Sequence, residues 1–226
     1  MIRNIFANHG ITITEEQEQK LNQYYDLLID WNNKINLTSI VEYEEVIWKH
    51  FLDSAFFVSC DKVDLKEKKK VLDLGTGAGF PGMVLAILCP DYEFVLADSL
   101  NKRIEFLKVV INRLQIHNVS VIHGRAEELG RDENFRNQFD YVVSRAVAEL
   151  PVLLEYCIPF VKKGGYFVSY KSRRLDEEIE NAENALNMLY TKYEKKYKYE
   201  LEYDHSERYL VFFRCENITD SKYPRK

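Results

Sequence analysis

Hydrophobic positions change their period twice along the chain. Behind Thr14 and the acidic run EEQEQ, residues Leu21, Tyr24, Tyr25, Leu28 and Trp31 recur at helical spacing. A hydroxyl cap followed by acids in the first turn marks a helix N-terminus. An amphipathic helix is therefore predicted over 15–31. NNKINLTSI is polar and irregular. A second helix is predicted over 42–59, with Val46, Ile47, Phe51, Phe56 and Phe57 apolar. DKVDLKEKKK is charged and reads as a connection. The pattern divides the chain near residues 60–69, into an N-terminal helical extension (1–69) and a main domain (70–226).

From residue 70 short apolar runs alternate with helical stretches. KVLDL, EFVLAD, VSVIHG, FDYVVS and GYFVSYK read as five strands. Helices are predicted through MVLAIL, through NKRIEFLKVVINRLQ with Asn101 as its cap, through LPVLLEYCIPFV and over 172–189, with a short helical turn at RAEELG. Strands alternating with helices make right-handed βαβ units and a parallel sheet. The tail has a period of two: Tyr193, Tyr197, Tyr199, Leu201 and Tyr203 share one parity, DHSE supplies a turn, and RYLVFFRC follows. With no helix between them, these strands form an antiparallel hairpin. The predicted fold is α/β and Rossmann-like: a mostly parallel seven-stranded sheet with an antiparallel C-terminal hairpin and N-terminal helices. That order is the one expected of a class I methyltransferase rather than of a dinucleotide dehydrogenase.

With 46% of its 226 residues hydrophobic, the chain can bury a sizeable core. MIRNIFANHG lacks the apolar stretch of a signal peptide, and no apolar run is long enough to span a bilayer. A soluble, cytoplasmic protein is expected. The four cysteines show no C-x-x-C spacing and read as reduced, mostly buried thiols. The five histidines never pair at helical spacing, and no metal is expected. The net charge of -5 argues against a polyanionic partner. Residues 11–60, however, hold nine acids against three lysines, a local -6, so the rest of the chain is slightly basic. Basic residues cluster at Lys68–Lys70, Lys102-Arg103, Lys162-Lys163, Lys171 with Arg173-Arg174, and Lys192–Lys198. A locally basic face can meet phosphate.

The candidate chemistry centres on LDLGTGAGFPG, residues 72–82. Its glycines can be phased as G-x-G-x-G from Gly75 or as the dinucleotide fingerprint from Gly77 to Gly82. KVLDL ends at Leu74, so the turn begins at Gly75 and the first phase holds. Gly82 then packs a helix instead of meeting a ligand. Asp98 ends the second strand, where a carboxylate can accept both hydroxyls of a ribose. Asp73 is a carboxylate inside an apolar strand and needs a partner, either loop N–H groups or a ligand amine. After the third strand, Ala126 and Glu127 stand where an adenine would reach. After the fourth, SRAVAEL places Ser144, Arg145 and Ala146 at the cleft mouth. The Asn/Asp-Pro-Pro-Tyr segment of exocyclic-amine methyltransferases is missing there, and so is a cysteine for covalent attack on a pyrimidine.

WNNKINLTSI, HFLDS, VLDLGTGAGFPG, ADSLNKRIEFL, GRAEEL and FDYVVSRAVAELPVLLE occur in that order, followed by GG and Lys171. In this combination the chain resembles the bacterial small-subunit ribosomal RNA guanine-N7 methyltransferases, the RsmG or glucose-inhibited division protein B family. The resemblance implies S-adenosyl-L-methionine as donor and N7 of one guanine of 16S rRNA, free or in the 30S subunit, as acceptor. It implies cofactor contacts at Gly75, Gly77, Phe80, Ala126, Glu127 and Arg145, with Asp98 on the ribose by its place in the fold. Arg145 serves the cofactor carboxylate or the target nucleotide. Lys171 is the first candidate for RNA contact, followed by Arg173 and the Lys34–His50 region. Guanine N7 carries a lone pair and no proton, so in-line transfer needs no general base, and no catalytic residue is assigned. A monomer is expected. The readings left open are a methyltransferase for a small molecule or protein, a dinucleotide-dependent oxidoreductase, and an RNA-binding module without catalysis.

Overall fold

A computed structural model describes residues 1–145, 147–172 and 175–225. Seven strands form one sheet in the order β3-β2-β1-β4-β5-β7-β6. They are β1 (Lys70–Leu74), β2 (Glu93–Asp98), β3 (Val119–His123), β4 (Phe139–Arg145), β5 (Val161–Lys171), β6 (Thr191–Leu201) and β7 (Ser206–Cys215). β1 to β5 pair in parallel. β7 runs antiparallel to both β5 and β6, so the terminal hairpin enters the sheet by its second strand.

Alternate side chains of each strand enter two separate cores. Val71, Tyr141, Val143, Val168 and Phe212 face one layer, where α5 (Gly82–Leu88) and α6 (Asn101–Leu114) pack together with the N-terminal helices. Leu72, Leu74, Val142, Phe167 and Phe213 face the other, under α8 (Leu150–Cys157), α9 (Leu175–Asn181) and α10 (Glu183–Met188). The N-terminal helices share the first core with the sheet: Phe6, Tyr24 and Phe51 are fully buried in it.

The predicted helix over 15–31 runs further, as α2 (Glu15–Ile35). Its start is a capping box: Thr14 Oγ1 accepts from Gln17 N at 3.2 Å, and Gln17 Oε1 accepts from Thr14 N at 2.9 Å. The polar residues read as irregular continue the helix and then close it. Asn32 Oδ1 accepts from the N–H groups of Leu37 (2.6 Å) and Thr38 (2.8 Å), beyond a left-handed Asn36. The sequence pattern missed α1 (Ile2–Asn8), whose buried residues Ile2 and Phe6 are one turn apart. The helix predicted over 42–59 is one helical run of changing pitch. It comprises α3 (Tyr43–Val46), a π-helical segment Ile47–Leu52, α4 (Asp53–Ala55) and a 3₁₀ turn Phe56–Ser59.

Three further elements differ from the reading. Asn101 is the first residue of α6 rather than its cap; Leu100 holds that position. The helix predicted through LPVLLEYCIPFV ends at Cys157 in a 3₁₀ turn over Ile158–Phe160, and Val161 already pairs with Phe139 as the start of β5. The single helix expected over 172–189 is two helices, α9 and α10, separated at the buried Ala182. RAEELG forms α7 (Ala126–Leu129), as expected. All four cysteines are free and buried. Among the described residues no helix is long and apolar enough to cross a membrane, and no cluster of His, Cys, Asp or Glu is arranged to hold a metal ion.

Candidate active site

The sheet order reverses between β1 and β4, which opens a cleft beyond their carboxyl ends. The glycine turn crosses this cleft. It is pinned to β2 by Gly75 N and Thr76 N, which donate to Ala97 O at 2.8 and 3.0 Å. Gly75, Gly77 and Gly79 all have positive φ, the phase read from the end of β1. A Cβ on Gly77 would meet nothing within 4 Å, so the backbone there lies open to a ligand. A Cβ on Gly82 would stand 2.7 Å from Asp73 Cβ and Oδ2, confirming Gly82 as a packing glycine.

Asp73 is fully buried, and its partners belong to its own loop. Thr76 Oγ1 and Gly82 N donate to Oδ2 at 2.6 and 2.7 Å. Oδ1 has no hydrogen-bond partner among the described residues. Burial outweighs these two donors and lifts the carboxyl to about 6.

Asp98 lies at the end of β2 and is also buried. Its Oδ2 accepts from Gly77 N at 2.9 Å and its Oδ1 from Leu100 N at 2.9 Å. Arg103 Nη1 adds contacts of 3.1 Å to Oδ2 and 3.4 Å to Oδ1.

Two depressions adjoin at Gly75. The smaller, of about 260 Å³, is lined by Asp98, Ser99, Ala126, Glu127, Val147 and Tyr156 as well as Gly75. The larger, of about 580 Å³, is lined by Gly75, Gly77, Phe80, Arg145 and Lys171, among others. The eight residues singled out from sequence are thus gathered into one double cleft. Ser144 is not at its mouth: the side chain is fully buried and donates to Leu74 O at 2.9 Å, tying β4 to β1. Ala146, Arg173 and Arg174 lie outside the described residues.

The wall of the larger depression comes from segments far apart in sequence. Arg145 Nη1 donates to Lys49 O (3.0 Å) and Asp53 Oδ2 (2.8 Å), and Nη2 donates to His50 Nδ1 (3.1 Å). Since arginine only donates, His50 Nδ1 is the acceptor, and the ring proton sits on Nε2, 3.0 Å from Thr38 Oγ1. Burial and the Arg145 charge push His50 down to about 3, so the ring is neutral. It stacks on Phe80 at 4.4 Å with an interplanar angle of 17°. The Arg145 guanidinium lies 5.3 Å from the centre of the same Phe80 ring. Asp53 is closed from the other side by Tyr199 OH at 2.7 Å, and Arg208 Nε stands 3.9 Å away.

The sequence reading gave no role to Asp53, Thr38, Tyr199 or Arg208, and His50 entered only as the edge of an RNA-contact region. One signal was available: His50 and Asp53 lie directly beside the apolar residues Phe51 and Leu52 in a helical stretch that also carries Ile47 and Ala55. Among the basic residues read as a possible face, several are spent on the surface. Lys162 pairs with Asp140, Lys195 with Asp61, and Lys196 with Asp176. Lys34 pairs with Asp30 away from the larger cavity's lining, whereas Lys171 lines that cavity and pairs with Glu178 at 2.5 Å.

A parallel sheet whose glycine turn opens beneath an acidic β2 end, continued by an antiparallel hairpin, defines a class I methyltransferase that uses S-adenosylmethionine. Solved structures share this fold. A SAM-dependent methyltransferase from Aquifex aeolicus superposes with a TM-score of 0.57 at 17% identity, covering 77% of this chain and 94% of its own. Aeropyrum pernix fibrillarin, solved with natively bound S-adenosyl-L-methionine, superposes at 0.53 with 16% identity, covering 72% of this chain and 73% of its own. The family described as GidB, rRNA small subunit methyltransferase G, matches residues 17–205, and the chain belongs to it. The ribosomal RNA small subunit methyltransferase G of Lachnoclostridium phytofermentans is 50% identical over 216 residues, 96% of this chain and 88% of that protein. The Clostridium novyi protein of the same name is 43% identical over 226 residues, 100% of this chain and 92% of its own.

Proposed function

We propose that the chain transfers the methyl group of S-adenosylmethionine to N7 of one guanine in 16S rRNA, in line and without a general base. One observation carries the mechanistic part: the imidazole at the cleft has no basic function left. His50 spends Nδ1 on Arg145 and Nε2 on Thr38, and is held neutral down to about pH 3. That suits an acceptor with a lone pair and no proton to remove.

The residues present fit the donor. The open backbone over Gly77 accommodates a ligand that crosses the turn. Asp98 would hold the ribose, Ala126 and Glu127 the adenine, and Gly75 and Gly77 the methionine portion. When bound, S-adenosylmethionine supplies a methyl group on a positively charged sulfur. The protein's share is to align acceptor and donor and exclude water, worth about 7–11 kcal/mol for well-placed groups. Phe80 and its stack form a rigid apolar wall. Arg145, with three of its five N–H groups engaged among the described residues, has two left that a carboxylate or phosphate could accept from. Lys171, next to the Tyr170 that pairs with Arg145 across β4 and β5, lines the same cavity and would meet the acceptor there. The enzyme acts in the cytoplasm as a monomer, with a helical extension over 1–69 and a catalytic domain over 70–226.

The test is methyl transfer from labelled S-adenosylmethionine to 16S rRNA and to 30S particles, both from a strain lacking this protein. A single 7-methylguanosine is expected on mapping. Label at another atom, or none on either RNA, would overturn the proposal.

A further inference from the structure

The Asp98 carboxylate is already saturated. Gly77 N and Leu100 N approach at 2.9 Å each, and Arg103 Nη1 bridges both oxygens at 3.1 and 3.4 Å. Two carboxylate oxygens offer about four acceptor sites, and these contacts occupy them. The two main-chain donors are built into the glycine turn and the entry to α6. Arg103 is different: its side chain is 32% exposed, whereas that of Asp98 is 2% exposed. It is the donor that can leave. A ribose diol on Asp98, the reading given above and the one this inference rests on, has to take its place.

Where the guanidinium goes follows from position. Arg103 lies in the first turn of α6 and lines the larger cavity, while Asp98 lines the smaller one. A cation at a helix N-terminus opposes the helix dipole, and Asp98 offsets that. Once the carboxylate serves a ribose, the guanidinium needs another anion. Lys102, its neighbour, reaches Ile35 O at the end of α2, so it stands at the same lip. The larger cavity is lined by Lys49, Arg145, Lys171 and Arg208 and by two acids, Asp53 and Glu178, which already pair with Arg145 and Lys171, so an incoming polyanion is favoured over a new acidic partner.

We infer that Arg103 is a phosphate contact for the acceptor RNA, held in reserve by Asp98 and released when the cofactor's ribose displaces it. Donor and RNA binding are then positively coupled through one side chain, and the coupling is reciprocal.

The test uses the full chain, S-adenosylhomocysteine as an unreactive cofactor, and unmodified 16S rRNA. Arg103→Ala should tighten cofactor binding by calorimetry about two- to fivefold, the size of a partly exposed ion pair. In the wild type, saturating cofactor should tighten RNA binding, and the alanine variant should lose that gain. With cofactor present, its slope of log affinity against log salt should be shallower by about one; without cofactor it should equal the wild type. Arg103→Lys should keep the wild-type slope. Unchanged or weaker cofactor binding by Arg103→Ala would overturn the proposal. So would an equal loss of RNA affinity with and without cofactor, the mark of a permanent contact. Asp98→Ala separates the two readings. If it binds cofactor as the wild type does, the ribose assignment falls and the proposal with it. If it binds weakly while Arg103→Ala gains nothing, only the proposal falls.

Discussion

Replacing Asp73 by asparagine should remove the part of the protein's pH-dependent stability that this residue supplies. Burial lifts the Asp73 carboxyl from 3.8 to about 6, so between those values the folded chain holds a proton that the unfolded chain has released. The stability from that proton is complete below pH 3.8 and is lost as pH rises through 6. At about 1.36 kcal/mol per unit of pKa, the loss is about 3 kcal/mol. Asparagine stays neutral throughout, and its carbonyl oxygen can replace Oδ2 as acceptor for Thr76 and Gly82. Its amide then lies where Oδ1 is unpartnered, which costs about 1–3 kcal/mol. Urea unfolding of both proteins at pH 4, 5, 6 and 7 measures the difference, and titrations elsewhere cancel in it. His50 is one such group. Held below its usual value, it makes the fold less stable as pH falls from 6.5 toward 3, the opposite direction. The stability of wild type minus Asp73→Asn should fall by about 2 kcal/mol from pH 4 to 7, the rest of the loss lying below pH 4. A flat or rising difference would refute the assignment of Asp73 as a carboxylate trapped by burial.

Three further outcomes follow from the site. Gly75→Ala must adopt φ +74 with its Cβ 2.5 Å from Val147 Cγ2, whereas Gly164→Ala meets the same backbone problem at φ +84 with open space around it. Both should lose about 1–2 kcal/mol of stability in urea, but only the first should weaken cofactor binding by calorimetry, about tenfold. Arg145→Met leaves the buried Asp53 with Tyr199 and the more distant Arg208, and should cost about 3–5 kcal/mol. Adding Asp53→Asn should restore part of that in the same unfolding assay. His50→Asn keeps an acceptor where Nδ1 receives Arg145, and His50→Gln puts its amide at the Nε2 position instead. Affinity for cofactor or RNA should survive the first change and fall about tenfold in the second, one lost charge-assisted hydrogen bond.

The parallel core was legible because each of its strands is a short apolar run between turn residues. The end of KVLDL was enough to choose between two phases of the glycine turn. The hairpin was legible from its period of two, but not its order: nothing local tells that β7 rather than β6 joins β5. Boundaries failed where polar side chains cap rather than break a helix. Asn32 closes α2 by reaching forward to Leu37 and Thr38, a contact invisible to periodicity. The larger half of the site was the least legible. HFLDS and SRAVA were recognised as separate signatures, yet their meaning is a contact between His50, Asp53 and Arg145 across more than 90 residues. A pattern reports which face of an element is apolar; it does not report which distant element supplies the partner for a buried charge.

Those contacts also explain why the N-terminal helices and the terminal hairpin accompany a sheet that five parallel strands could nearly build. A buried ion pair adds little to stability over apolar residues of the same shape. The Arg145–Asp53 pair therefore needs another reason for the three elements that enclose it. The helical run supplies the Lys49 carbonyl, His50 and Asp53; β6 supplies Tyr199; β7 supplies Arg208. Together they hold a long, many-rotamer side chain in one position before any ligand arrives. Ordering such a side chain at binding costs about 0.5–1.5 kcal/mol, and here that cost is met during folding. The same restraint keeps the guanidinium at 5.3 Å from Phe80, in the larger cavity. In the base-free transfer proposed above, a fixed cation and a fixed aromatic wall are the contribution the chain can make.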